Sequence, residues 1–178
     1  NTGSARSAIV KVQSTDGKYS VKYTISQQGT SSSEPSEGEP APNEIWYTSS
    51  TNDVVTLSNV AGFGAEIVSH GYSNGRGVIK FAKSISNVCD GAFRDCREIT
   101  SVIIPDGVTT IGSNAFNRCD KLESVKLPKT LKEIKYYAFF NCSSIKRLEI
   151  PEGTTNIGTA AFKGCSSLTS INIPSSVT

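Results

Sequence analysis

The stretch that decides the fold is Ser101 to Cys119, SVIIPDGVTTIGSNAFNRC, because its pattern returns along the chain. Four of the five cysteines are spaced 23 residues apart, and the phenylalanine three positions before each of them keeps the same spacing. Columns of alanine, proline and branched aliphatic residues run beside them. Eight columns in register over four units identify an internal repeat. The phenylalanine and cysteine columns are Phe93, Phe116, Phe139, Phe162 and Cys96, Cys119, Cys142, Cys165.

A 23-residue unit is too short to bury its own apolar face, so the units must stack on one another. Within the unit, Ser101 to Pro105 alternates as a short strand, with Val102 and Ile104 pointing inward. The segment SNAFNRC that follows is expected to form a short helical turn that buries Phe116 and Cys119. The pattern therefore predicts a mostly β solenoid with a small α contribution. It would be a right-handed stack of leucine-rich repeats in which the two columns form structural ladders.

The two ends of the repeat array depart from the pattern. Val78 to Phe81 matches the strand of a degenerate first unit, with Ile79 and Phe81 inward. The last unit, from Leu168, stops at Thr178 after 11 of its 23 positions. We expect either that the native protein continues or that another chain covers this end. The chain of 178 residues also lacks methionine, which indicates a processed or shortened piece of a longer protein.

The line AFKGCSSLTSINIPSSVT, Ala161 to Thr178, resembles the BspA-like leucine-rich repeats of surface proteins in Bacteroides and its relatives. We assign residues 78–178 to this region. The resemblance implies an exported protein at the outer cell surface, with or without a lipid anchor before processing. Some family members are implicated in adhesion to host matrix proteins or to other cells, which implies a binding role here.

Residues 1–29 predict a β-hairpin. Ala8 to Val12 and Tyr19 to Ile25 alternate as strands, and Asp16-Gly17 is a good hairpin turn. The segment resembles the last strands of a BACON domain, a Bacteroidetes module often found beside glycan-active enzymes, and this resemblance implies a remnant of that module. The residues that carry the likeness are Arg6, Ile9, Val12, Ile25, Gln27 and Gly29.

Residues 30–44, rich in Ser, Pro and Glu, predict a linker. Residues 45–77 contain short strand patterns without the 23-residue columns and predict an N-terminal cap of the solenoid. Four apolar side chains of this cap are expected to cover the first rung: Trp46, Tyr47, Phe63 and Ile67.

The cysteines do not form a metal site, because spacings of 7 and 23 residues lack the close pairs that zinc needs. Disulfides along the column would need Cβ atoms about 3.8 Å apart, whereas stacked residues keep theirs near the strand spacing of about 5 Å. Buried free thiols that act as small apolar fillers are the favoured interpretation. Cys89 lies off the column and is expected to be partly exposed and reactive.

The sequence contains no catalytic motif, so we expect a protein that is not an enzyme and uses no cofactor or metal. A dyad of Cys89 with His70, the single histidine, is weighed against an ordinary surface histidine, which is favoured. With 18 basic and 16 acidic residues the chain carries no nucleic-acid footprint. Its short apolar runs predict no membrane span.

The outward strand positions are the first candidate binding surface, since side chains fixed on a stiff sheet lose little entropy on binding. A merely solvated sheet face is the equal alternative. The two rows are Val78, Ser101, Ser124, Arg147, Ser170 and Lys80, Ile103, Lys126, Glu149, Asn172.

A second candidate is Tyr136, Tyr137 and Phe140, which stand where another repeat has Ser113, Asn114 and Asn117. Exposed aromatic rings could contact protein or sugar. The alternative is that they pack on the hairpin or on a second copy. The lysines expected nearby are Lys126, Lys129, Lys132 and Lys135.

Together these features predict a non-enzymatic surface protein that binds a macromolecule, in first place a protein, through the sheet face. The alternatives are a glycan-binding accessory module of a polysaccharide-utilisation system, suggested by the BACON-like start, and a structural spacer. An end-to-end or hairpin-mediated homo-oligomer is compatible with the unfinished ends.

Overall fold

The computed structural model of the protein describes residues 6–13, 20–27 and 38–178. Nearly all its regular elements are strands, and most of them are short because each repeat contributes only a few paired residues. The strands are β1 Arg6–Gln13, β2 Ser20–Gln27, β3 Glu44–Ser49, β4 Ile67–Ser73, β5 Arg76–Phe81, β6 Asn87–Val88, β7 Ile99–Ile103, β8 Thr110–Ile111, β9 Ser124–Lys126, β10 Glu133–Ile134, β11 Leu148–Glu149, β12 Asn156–Ile157 and β13 Ile171–Asn172.

Parallel pairing joins residues that are 23 positions apart, as expected for stacked repeats. In the main sheet β7 pairs with β9, so that Val102 lies opposite Val125. Further along, β11 pairs with β13, with Leu148 opposite Ile171. A second parallel sheet has the order β12-β10-β8-β6 and lines the other side of the stack. Val102 and Ile104 are buried, which confirms the predicted inward positions.

The prediction that Val78 to Phe81 forms the first strand of the repeat stack is wrong in one respect, because β3 lies between this segment and the next repeat. The main sheet runs β4-β5-β3-β7-β9, and β3 pairs antiparallel with both neighbours. Trp46 lies opposite Val78 on one side and Ile103 on the other. Val78 and Lys80 therefore do not continue the two outward rows of the repeats. The physical reason is that the free edge of β7 needs backbone partners, which β3 supplies.

The predicted helical turn in each repeat is also wrong, since SNAFNRC forms consecutive tight turns. The only helical element among the described residues is a short 3-10 turn at Ala61–Phe63. Two positions of each repeat have positive φ, which stops a right-handed helix from continuing. The turn backbones bond to the next repeat instead, as when Phe116 N–H donates to Ala138 O at 2.7 Å. The positive-φ columns are Gly91, Asn114, Tyr137, Ala160 and Asp95, Arg118, Asn141, Gly164.

The phenylalanine ladder forms the centre of the core. The rings of Phe93, Phe116, Phe139 and Phe162 stack with centroids 4.9, 5.1 and 5.7 Å apart and with interplanar angles of 13° or less. Phe162 is only half-buried.

The cysteine ladder consists of free, buried thiols, as predicted, but the thiols are not merely apolar fillers. Cys119 Sγ donates to the Phe93 carbonyl at 3.0 Å, Cys142 Sγ to that of Phe116 at 3.0 Å, and Cys165 Sγ to that of Phe139 at 3.2 Å. Each thiol thus ties the phenylalanine of the preceding repeat to its own repeat.

The cap corrects three further expectations. Tyr47, Phe63 and Ile67 are buried, but Trp46 is on the opposite face of β3 because alternate residues of a strand point to opposite sides. His70 is not a surface histidine: only 3% of it is exposed, because β4 turns it into the cap interior. Cys89 is equally buried, because the 3-10 turn packs on it so closely that a Cβ at Gly62 would lie 2.6 Å from Cys89 Cβ.

The predicted N-terminal hairpin is present, with β1 and β2 paired antiparallel from Arg6 opposite Gln27 to Gln13 opposite Ser20. Its Asp16-Gly17 turn and residues 30–37 of the predicted linker lie outside the described residues. Residues 38–43 run between the ends of β5 and β9. Asn43 O accepts from Phe81 N–H at 2.9 Å, and Glu39 forms an ion pair with Lys126.

Candidate binding surfaces

The outward positions of the repeat strands divide into a covered part and an open part. Ser101 and Ile103, next to the cap strand β3, are half-buried, and Ser101 Oγ lies 2.7 Å from Thr48 Oγ1. The predicted positions further along the stack are all exposed: Ser124, Lys126, Arg147, Glu149, Ser170 and Asn172.

The structure brings four of the predicted residues together in one cleft on β11 and β13, with a volume of about 440 Å³. Its lining is mixed: a cation, an anion, a hydroxyl, an amide and two aliphatic residues. Among the described residues no carboxylate lies within ion-pair distance of Arg147. The cleft therefore offers unpaired hydrogen-bonding and charged groups to a ligand. The lining residues are Arg147, Leu148, Glu149, Ile150, Ser170 and Asn172.

Lys126, one repeat earlier, differs from Arg147 because its charge already has a partner within the chain. Its ammonium is paired with the carboxylate of Glu39, which precedes the cap strand. Both side chains remain more than half exposed, so solvent and salt weaken this pair and a stronger anionic partner could replace Glu39.

A further outward feature was missed by the sequence reasoning. The Arg76 guanidinium lies over the Trp46 ring, 3.9 Å from its centroid, and Trp46 Nε1 donates to Glu44 Oε2 at 3.0 Å. Glu44 also pairs with Lys80 at 3.2 Å. The alternation of Ile45, Trp46 and Tyr47 was the signal that could have placed Trp46 on the outer face.

The aromatic residues of the third repeat lie on the turns that follow β10. Tyr136 and Tyr137 meet edge to face with centroids 5.8 Å apart, and Tyr137 meets Phe140 in the same way at 5.2 Å. Tyr136 is 51% exposed and Tyr137 37%. Of the lysines predicted nearby, Lys126 lies on the sheet face, while Lys135 directly precedes the rings.

The buried polar residues of the cap do not form a reactive pair. Cys89 Sγ donates to Asn59 O at 3.4 Å, and burial raises its pKa to about 11. His70 Nε2 lies 2.7 Å from the Tyr47 hydroxyl, and burial lowers the pKa of His70 to about 4. Each side chain thus has its own partner. Within residues 38–178 and the two hairpin strands, no group of His, Cys, Asp or Glu side chains is arranged to hold a metal ion.

No helix within the described part of the chain is long and apolar enough to cross a membrane.

Several solved structures are similar to this chain. A leucine-rich cell surface protein from Faecalibacterium prausnitzii is 37% identical over 44% of this chain, with a TM-score of 0.43, and this chain covers 21% of its length. A leucine-rich repeat protein from T. pallidum is 22% identical over 72% of each chain, with a TM-score of 0.46. A leucine-rich repeat protein from Bacteroides capillosus is 19% identical over 95% of this chain and 97% of its own, with a TM-score of 0.45.

This chain thus spans about a fifth of the length of the Faecalibacterium protein. No curated protein matches it. The model of the BspA type leucine-rich repeat region matches residues 75–178, more than half of the chain, in six copies. With repeat strands paired 23 residues apart and buried phenylalanine and cysteine ladders, the chain belongs to the BspA-type leucine-rich-repeat family.

Proposed function

We propose that this chain is a non-enzymatic binding module at the outer cell surface, which presents one face of a right-handed stack of 23-residue repeats to a protein partner. The observation that carries the proposal is the cleft on β11 and β13, where Arg147, Glu149, Ser170 and Asn172 converge. These are outward positions of neighbouring repeats, so the cleft is a product of the stacking itself.

The backbone behind the cleft supports a preorganised site. Glu149 lies opposite Asn172 in the parallel pair of β11 and β13. Leu148 and Ile150 are buried and anchor β11, and Ile171 of β13 is partly buried against the same core. Because the side chains stand on a fixed frame, a partner pays little for ordering them. Charged and polar groups in this arrangement give specificity for a protein surface of complementary charge.

The described thiols suit packing rather than nucleophilic attack. The described thiols are all buried, and burial raises the pKa of Cys96 to about 11 and that of Cys165 to about 12. Thiols in this state are poor nucleophiles, since the thiolate is the reactive form.

The experiment is capture of purified extracellular-matrix proteins, immobilised one by one, by the wild-type chain and by Arg147→Glu. We expect the charge reversal to weaken capture at least tenfold with an unchanged melting temperature. Lys83→Glu, an exposed lysine after β5, is the matched control and should capture like the wild type. Equal capture by Arg147→Glu and wild type would remove the cleft as the binding site, and no capture of any protein by the wild type would favour a spacer.

The glycan-binding alternative rests on the exposed rings of the third repeat rather than on the sheet face. The likeness of residues 1–29 to a BACON domain stays a prediction, since the family match begins at residue 75. A homo-oligomer formed end to end or through the hairpin also stays a prediction, which light scattering would check.

A further inference from the structure

The turn from Tyr136 to Asn141 carries a surface feature that the fold does not require. We propose that the ring cluster, defined as Tyr136, Tyr137 and Phe140, binds an anionic polysaccharide through its sugar rings and its carboxylate or sulfate groups. This site lies on the turns that follow β10 and is independent of the cleft on β11 and β13.

The first argument is the backbone of Tyr137. Its φ is 55°, a left-handed conformation that bulky residues rarely adopt. The matching positions of the other repeats are Gly91, Asn114 and Ala160, which are smaller or better suited to this conformation. Two inter-repeat bonds hold the turn, from Tyr137 N–H to Thr159 O and from Asn114 N–H to Tyr136 O, each 3.1 Å long.

Burial in the core does not offset this backbone strain, since more than a third of Tyr137 is exposed. Its ring meets those of Tyr136 and Phe140 edge to face, and both of these residues are partly open to solvent. A strained residue that the packing does not need points to a role in binding.

The second argument is charge. The backbone N–H of Arg118 donates to Phe140 O at 2.8 Å, and the backbone N–H of Asn141 donates to Lys163 O at 2.8 Å, so the backbones of these two cationic residues lie beside the turn of the cluster in the preceding and the following repeat. Lys135 precedes it in the chain. Arg118 is partly neutralised by Asp95 at 3.4 Å, but within the described residues no ion pair involves Lys135 or Lys163. The surface around the rings is therefore complementary to an anion.

The third argument is size, and it favours a polysaccharide over a protein. Three aromatic side chains bury at most about 150–250 Å² each, and here each is already partly covered. Their open area falls well short of the roughly 800 Å² per partner of a stable protein interface. A sugar ring needs only one aromatic face to stack on, so the open area of the cluster is enough for it.

The test is affinity electrophoresis and calorimetry with polygalacturonate, heparin and neutral dextran. We expect binding to polygalacturonate or heparin that falls as salt is raised, and none to dextran. The two anionic probes separate a carboxylate from a sulfate as the recognised group. Equal retention by dextran, or no binding to either anionic polymer, would overturn the proposal.

Two variants locate the site. Tyr137→Asn introduces the residue found at Asn114, so its melting temperature should be equal to or above that of the wild type while binding weakens at least tenfold. Lys163→Gln should weaken binding severalfold, whereas Lys83→Gln should not. Undiminished binding by Tyr137→Asn would overturn the assignment. Arg147→Glu should leave polysaccharide binding unchanged, which separates this site from the cleft proposed for protein.

Discussion

The hydroxyl of Tyr47 lies 2.7 Å from Nε2 of His70 inside the cap, and it also accepts the Val55 N–H at 3.3 Å. Either side chain can donate in the bond between Tyr47 and His70, depending on the tautomer of the imidazole. Burial lowers the pKa of His70 and raises that of Tyr47, so both residues favour their uncharged forms.

This pair predicts a loss of stability in mild acid. The pKa of His70 is about 4 in the folded chain, below the value of 6.5 in the unfolded chain, so the unfolded chain takes up the proton first as the pH falls. The free energy of unfolding is therefore unaffected by His70 above about pH 6.5. It falls by an amount on the order of 3 kcal/mol as the pH is lowered from about 6.5 to 4. Urea unfolding at a series of pH values measures it.

His70→Gln is the matched control, because it keeps a polar group beside the Tyr47 hydroxyl but cannot titrate. Its free energy of unfolding should change less between pH 6.5 and 4 than that of the wild type. If the two proteins show the same pH dependence, other groups cause it.

The contact of Gly77 with Tyr47 predicts a large steric effect from one methyl group. A Cβ at Gly77 would lie 2.0 Å from Tyr47 Cζ, whereas a Cβ at Gly71 would meet nothing within 4 Å. Gly77→Ala should therefore cost about 3 kcal/mol, since the buried ring and β3 must shift together. Gly71→Ala should change the free energy of unfolding by less than about 0.5 kcal/mol. Similar melting temperatures for the two variants would contradict this account of how the cap packs.

The thiol ladder predicts a graded cost for removing sulfur. Cys142→Ala would leave a small void and remove the donor to Phe116 O, at a cost of about 1–3 kcal/mol. Cys165→Ala, next to the less tightly stacked end of the ladder, should cost less. Denaturant midpoints measured under reducing conditions give both values, and an equal loss for the two variants would argue against an effect of position in the stack.

The repeat itself could be predicted from sequence because each column places the same kind of residue at the same position of several units. Ile111 and Ile134 occupy the same place in their units, and the structure pairs them in one parallel sheet. The positive-φ columns were also visible in principle. Asp95, Asn141 and Gly164 share the tolerance for left-handed backbone that excludes a helical turn, and this signal was overlooked.

The position of β3 could not be predicted in the same way. Its alternation identifies a strand, but nothing local specifies which strands flank it. The neighbours of β3 depend on the unpaired edge of β7, which exists only once the repeats have stacked. The ion pair of Glu39 with Lys126 likewise joins residues 87 positions apart.

The insertion of β3 has a consequence for the order in which the molecule assembles. Repeats that contact only their neighbours can be added one after another as the chain leaves the ribosome. β3 must instead wait for β7, because Tyr47 finds its partner Val102 only after more than fifty further residues have been made. The cap therefore precedes the repeats in the chain but cannot close until the early repeats exist, and nascent chains that end before Ile103 should lack a sealed N-terminal edge.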